Sequence, residues 1–139
     1  IPDLPSHYEA SAPGVGFAMG MERVIELMRE CGRVPVRTQT DVYVIHSGGD
    51  TQVQAMLLAE ALRDAGVRVM VHPGKSGFKS QMKKADASGA RFAVFAAEDE
   101  LAAGTVSVKA LREGEKSYAE QTALPLAGAA AAIAAALAA

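Results

Sequence analysis

Apolar residues at Met21, Val24, Ile25 and Met28, with Cys31 three places on, recur at the spacing of one helical face, and Gly32 ends the pattern. A helix is therefore expected from Met21, with Cys31 buried on its stripe as a small hydrophobe. Residues 1–13 are rich in proline and small residues without periodicity and read as an irregular lead-in. Arg33 to Thr40, interrupted by Pro35, reads as a polar linker. The β-branched run Asp41-Val-Tyr-Val-Ile-His46 then predicts a strand that opens a new unit. Ser47-Gly-Gly-Asp50 turns the chain, with Asp50 placed to cap a helix that carries Leu58, Ala61 and Leu62 and closes at Gly66. Val67 to His72 predicts a second strand, Pro73-Gly-Lys-Ser-Gly77 a break, and Phe78 to Ser88 a basic helix that Gly89 stops before a third strand, Arg91 to Ala96. Glu98 to Gly104 reads as a connection. Thr105 to Leu111 alternates, with Val106 and Val108 on one face, and Glu113-Gly114 is expected to turn it into a short strand reaching Tyr118. From Pro125 a last helix lays Leu126, Ile133 and Leu137 along one thin stripe.

Strands that alternate with helices through short loops specify parallel pairing, right-handed crossovers and helices on both faces. The expected fold is α/β: a small three-layer α/β/α sandwich with a mixed, mostly parallel sheet, its antiparallel part supplied by the late hairpin. The division expected is 1–40 as one short piece with its linker and 41–139 as the domain proper.

Composition narrows the possible functions. The chain has 139 residues, half of them hydrophobic and 22% charged, which suits one domain with a real core. Its formal net charge of −2 gives no general attraction to phosphate, so any nucleic-acid contact must come from a local basic patch. The single cysteine rules out an intramolecular disulfide and a cysteine-based zinc cluster, and it fits a reducing, cytoplasmic setting. No basic and apolar leader opens the sequence, and the alanine-rich tail Leu126 to Ala139 falls short of the ~20 residues that a bilayer requires, so no membrane association is expected.

Such a basic patch exists. Lys75, Lys79, Lys83 and Lys84, with Arg91 beyond, gather on and around the third predicted helix, and Lys79 and Lys83 share a face one turn apart. Gly74-Lys75-Ser76 sits between strand and helix as a phosphate-binding loop would, but Val69 occupies the place of the required first glycine, so a triphosphate cannot be wrapped. Helix-terminal N–H groups with Lys75 and Lys79 still suit a single phosphate, such as a nucleic-acid backbone offers. Gly14-Val-Gly16-Phe-Ala-Met-Gly20 lacks both the spacing and the preceding strand of a dinucleotide fingerprint. Phe78 is the one aromatic in the basic cluster, so any RNA contact should be short. His7, His46 and His72 are scattered without metal-ligand spacing and read as incidental, and no metal site is expected. Glu98, Asp99 and Glu100 read either as a capped turn or as acceptors for base amino and imino groups.

Gly16-Phe-Ala-Met-Gly-Met-Glu-Arg-Val24 resembles motif 3 of class II aminoacyl-tRNA synthetases, where glycines bend a strand into a helix and an arginine meets ATP. Ser76-Gly-Phe-Lys-Ser-Gln-Met-Lys-Lys-Ala-Asp-Ala-Ser-Gly-Ala90, Glu98-Asp-Glu100 and Gly104-Thr-Val-Ser-Val-Lys109 are similar to the histidyl members of that class, and together these stretches span most of residues 14–114. The resemblance implies a remnant of the catalytic domain, the motif 3 strand and helix plus linker, over 1–40 and an anticodon-binding domain over 41–139. Arg23 would be the ATP-contacting arginine. Glu100 and Lys109 would approach the anticodon bases, assisted by Lys79, Gln81 and Lys83. The longer protein would join histidine to tRNA(His) with ATP and Mg2+ as a cytoplasmic homodimer, while this chain, which lacks motifs 1 and 2, would be inactive alone and need no cofactor. Ala96-Ala97 stands where the family usually has a glycine before the acidic triplet. The alternatives are a regulatory paralogue domain that binds another RNA or a protein, since a fold does not dictate its use, and, less favoured, a nucleotide-binding domain that uses Gly74-Lys75-Ser76.

Overall fold

The computed structural model describes residues 14–34 and 39–139. The chain divides into two compact units, 1–37 and 38–139. In the first, helix α1 covers Met21–Glu30, with Gly20 before it and Cys31 after it. None of its residues is buried, and Cys31 is exposed instead of packed, so the apolar stripe of α1 is uncovered among the described residues. Residues 14–20 pair with no strand among the described residues, so the expected motif 3 strand is absent there; an extended segment needs a neighbour for its N–H and C=O groups. The lead-in 1–13 and half of the linker, 35–38, lie outside the described residues.

The second unit holds one five-stranded sheet: β1 Val42–Ser47, β2 Val69–Val71, β3 Phe92–Ala97, β4 Thr105–Ala110 and β5 Thr122–Pro125, in the order β2-β1-β3-β4-β5. β1 runs parallel to β2 and to β3, while β4 is antiparallel to both β3 and β5. Four strands thus point one way and β4 alone points back. β1 and β3 read as continuous apolar runs because both of their faces are covered. Val42, Val44, Phe92, Val94, Val106 and Val108 face helices α2 (Thr51–Asp64) and α5 (Leu126–Ala138), and Tyr43, Ile45, Ala93 and Phe95 face α3 (Phe78–Ala87). The two-faced arrangement follows from the strand order. The path β1-α2-β2 steps to one side of β1 and β2-α3-β3 steps to the other, so right-handed crossovers must deposit α2 and α3 on opposite faces.

Two local expectations change. Glu98–Ala102 winds into a short helix, α4, instead of a plain connection, its three acidic residues filling the first turn where a helix favours negative charge. Glu113 to Tyr118 is turn, not strand, and the edge strand comes later as β5. Tyr118 adopts φ 55°, a left-handed conformation that no strand residue holds, while its carbonyl accepts from Ala110 N at 2.7 Å and its ring meets Phe92 edge-on at 5.6 Å. Glu115 accepts two hydrogen bonds from Arg91, at 2.8 and 3.0 Å, which pins the turn and holds its carboxyl below the usual range. Asp50 occupies the N-cap position of α2 without a side-chain bond; Thr51 Oγ1 instead donates to Gly48 O at 2.7 Å.

Candidate nucleic-acid interface

α3 starts after Gly77, and the chain leaves it through Gly89 at φ 78°, so glycines set both of its ends. Its inner face carries Gln81 and Ala85, fully buried, with Met82 half-buried beside them. Lys79 and Lys83 are exposed. Which way they lean follows from the helix period. Asp86 lies on their stripe and pairs with Arg112, just beyond β4, at 3.3 Å, so the stripe looks towards β4. Lys84 lies on the opposite flank, near β2, where its charge adds to burial in lowering the pKa of His72.

β4 supplies the rest of that surface. Val106 and Val108 turn to the α2 and α5 side, so Ser107 and Lys109 share the α3 side. Lys109 is exposed and stands opposite Ala93 in the β3 register; Ser107 stands opposite Phe95. α3 packs over β1 while α4 meets β4 beside the buried Ser107, so the open part of the strip lies at Lys109. Ser107 Oγ donates a short hydrogen bond to Glu100 Oε1, drawing the end of α4 onto this strip. Glu100 Oε2 is buried without any partner, and among the described residues it is the only buried side-chain nitrogen or oxygen in that state. An unsatisfied buried carboxylate oxygen costs about 1–3 kcal/mol, so the site lacks one donor. Four of the residues expected from the sequence, Lys79, Lys83, Glu100 and Lys109, thus border one strip.

Gln81 does not. Its side chain is 1% exposed, Oε1 accepts from His46 N at 3.1 Å, and Nε2 donates to His46 O and Ser76 O, each at 2.7 Å. With both amide protons used and the group buried, nothing remains to offer RNA, and the expected anticodon contact is replaced by a structural role. The same cluster corrects the reading of the histidines as incidental. His72 is buried, with Nδ1 2.9 Å from Tyr43 OH and Nε2 2.8 Å from Ser76 Oγ, and its backbone carbonyl accepts from His46 Nε2 at 2.9 Å. Desolvation pushes the His72 pKa down and the Tyr43 pKa up. No motif announced this cluster; the one available signal was polar residues placed at the carboxyl ends of two apolar strands.

The network leaves the phosphate-loop idea without its hydroxyl. Ser76 is engaged by His72, and Lys75 lines a cleft of about 170 Å³ with His46, Gly48, Gly49, Thr51 and Gln52. The Glu98 carboxylate lies so close to the start of α2 that a Cβ on Gly48 would meet Oε2 at 2.7 Å, and a negative charge there opposes a bound anion. Arg23 lies on α1, exposed, in the first unit. Among the described residues, no group of three or more His, Cys, Asp or Glu could hold a metal ion, and no helix is long and apolar enough to cross a membrane.

The anticodon binding domain family matches residues 41–134. A histidine–tRNA ligase of Cupriavidus pinatubonensis is 57% identical over 111 residues, which is 77% of this chain and 24% of that protein. One from Nitrosomonas europaea is 52% identical over 120 residues, 86% of this chain and 28% of that protein. Among solved structures, histidyl-tRNA synthetase from a Nostoc species superposes with a TM-score of 0.59 at 28% identity, over 83% of this chain and 26% of that one. The apo enzyme from S. aureus, at 23% identity, shares the fold with a TM-score of 0.61 over 82% of this chain and 28% of that chain. The chain spans about a quarter of the length of the curated relatives it matches. With its mixed sheet, its two helical layers and a family match across nearly the whole second unit, the chain belongs to the anticodon binding domain family, in the form that histidine–tRNA ligases carry.

Proposed function

We propose that residues 41–139 bind the anticodon of tRNA(His) along the β4 strip, for a longer protein that ligates histidine to that tRNA. Glu100 and Lys109 contact base edges, and Lys79 and Lys83 hold the phosphates beside them. The observation that carries this reading is the exposed Lys109 on the same face of β4 as Ser107, two positions away, whose hydroxyl holds the Glu100 carboxylate at that strip. An unstacked guanine or uracil presents both the N–H that a carboxylate needs and the carbonyl that an ammonium needs. Residues 1–40 are assigned to the catalytic part, with Arg23 its ATP-contacting arginine. ATP, Mg2+, histidine, homodimerisation and a cytoplasmic setting belong to the longer protein; this chain alone is a binding module without ligase activity or cofactor.

Fluorescence anisotropy of a labelled histidine-anticodon stem-loop, with a scrambled-anticodon loop as competitor at two salt concentrations, tests the reading. Preference for the cognate loop supports it; equal binding of both loops, abolished by salt, reduces the interface to a basic patch. Within the same assay Lys83→Ala is expected to weaken every loop alike and to lower the slope of log K against log salt by about 0.7, the value of one phosphate contact on a single strand. Lys109→Ala should instead narrow the gap between cognate and scrambled loops. Equal losses on all loops for Lys109→Ala would make it a second phosphate contact.

A further inference from the structure

We propose that Phe78 is a stacking platform for one unstacked anticodon base, a role that deepens the anticodon-binding reading and rests on it. Phe78 opens α3, a basic helix, and is 51% exposed. Its ring centroid lies 5.3 Å from that of Phe95 with the planes 30° apart, so the buried Phe95 fixes the orientation of the exposed ring. The inner side of the pair is committed to the core and the outer side is open. Phe95 stands directly opposite Ser107 in the β3–β4 register, and Ser107 holds Glu100. The exposed ring and the Glu100 side chain therefore lie at the same end of the strip.

A base seated on Phe78 would turn its edge to Glu100 while its phosphates pass Lys79 and Lys83, which rise along α3 from the same end. The two contacts do different work. Stacking accepts any base, so Phe78 contributes affinity, whereas Glu100 selects. One ring holds one base, which accords with a contact confined to a few nucleotides.

The test uses stem-loops in which 2-aminopurine replaces each anticodon base in turn. Binding of this chain is expected to change the emission from one position, and Phe78→Leu should abolish that change and weaken the cognate loop roughly tenfold. Phe78→Tyr should retain both. Because the sequence contains no tryptophan, Phe78→Trp provides a second readout that does not depend on the stability of the leucine variant. Its emission should be quenched by the cognate loop over the same concentration range as the anisotropy change. An unchanged 2-aminopurine signal in Phe78→Leu, or an unquenched Phe78→Trp, overturns the proposal while leaving cognate preference intact. Loss of cognate preference in the unaltered chain overturns the underlying reading, and this proposal with it.

Discussion

Gln81→Ala is expected to lower the unfolding free energy by about 3–5 kcal/mol, a large part of what a domain of this size holds. The substitution removes three hydrogen bonds at once, two of them from the buried His46 N and His46 O and the third from the part-buried Ser76 O. Each buried polar group left unsatisfied costs about 1–3 kcal/mol, and the lost side-chain volume adds a cavity. Urea unfolding of both chains checks the figure. A loss under about 1 kcal/mol would mean that water enters and satisfies those groups. RNA binding separates the structural role from a contact role. Measured well below the unfolding midpoint, the variant should keep its relative preference among loops, because no atom of Gln81 faces the strip. Reduced discrimination at unchanged stability would restore Gln81 to the interface.

That residue also shows where a sequence is readable and where it is not. The strand and helix pattern from Asp41 to Ala96 was legible because it depends on local periodicity: β-branched runs, glycine stops and a basic face one turn apart. The orientation of a single helix face was not. Lys79, Gln81 and Lys83 fall within five consecutive positions, yet Gln81 turns inward to groups 35 residues away in sequence, and nothing within α3 announces that partner. His72 is placed in the same way, by Tyr43 29 residues before it. The strand expected to reach Tyr118 failed for a local reason that propensity does not encode, since an aromatic residue favours strands but here takes a left-handed conformation to seat its ring on Phe92. Cys31 failed for a different reason. An amphipathic stripe predicts burial only where a partner surface exists, and the described residues of the first unit provide none. The acidic triplet was visible as chemistry, whereas the hydroxyl that fixes one of its members came from a strand seven residues on.

Glu100→Gln is expected to cut the preference for the cognate loop by about 10- to 100-fold, corresponding to about 1–3 kcal/mol for one base-edge contact. The isosteric amide can still accept from Ser107 through its oxygen, so the local geometry is kept. The opposite end changes from an acceptor to a donor and meets the base N–H with another N–H, so selection fails by repulsion as well as by loss. Affinity for scrambled loops should hold or rise, because a negative charge leaves the neighbourhood of phosphates. Folding stability should change by less than about 1 kcal/mol, since the carboxylate oxygen that becomes an amide had no partner in the chain to lose. This combination distinguishes a residue kept for a ligand from one kept for the fold: the first loses recognition and spares stability, and Gln81 does the reverse. Competition anisotropy and urea unfolding on the same preparations read both quantities. A Glu100→Gln chain that unfolds much more easily while still preferring the cognate loop would make the missing donor a matter of internal packing, and would move base selection to Lys109 and the sheet beside it.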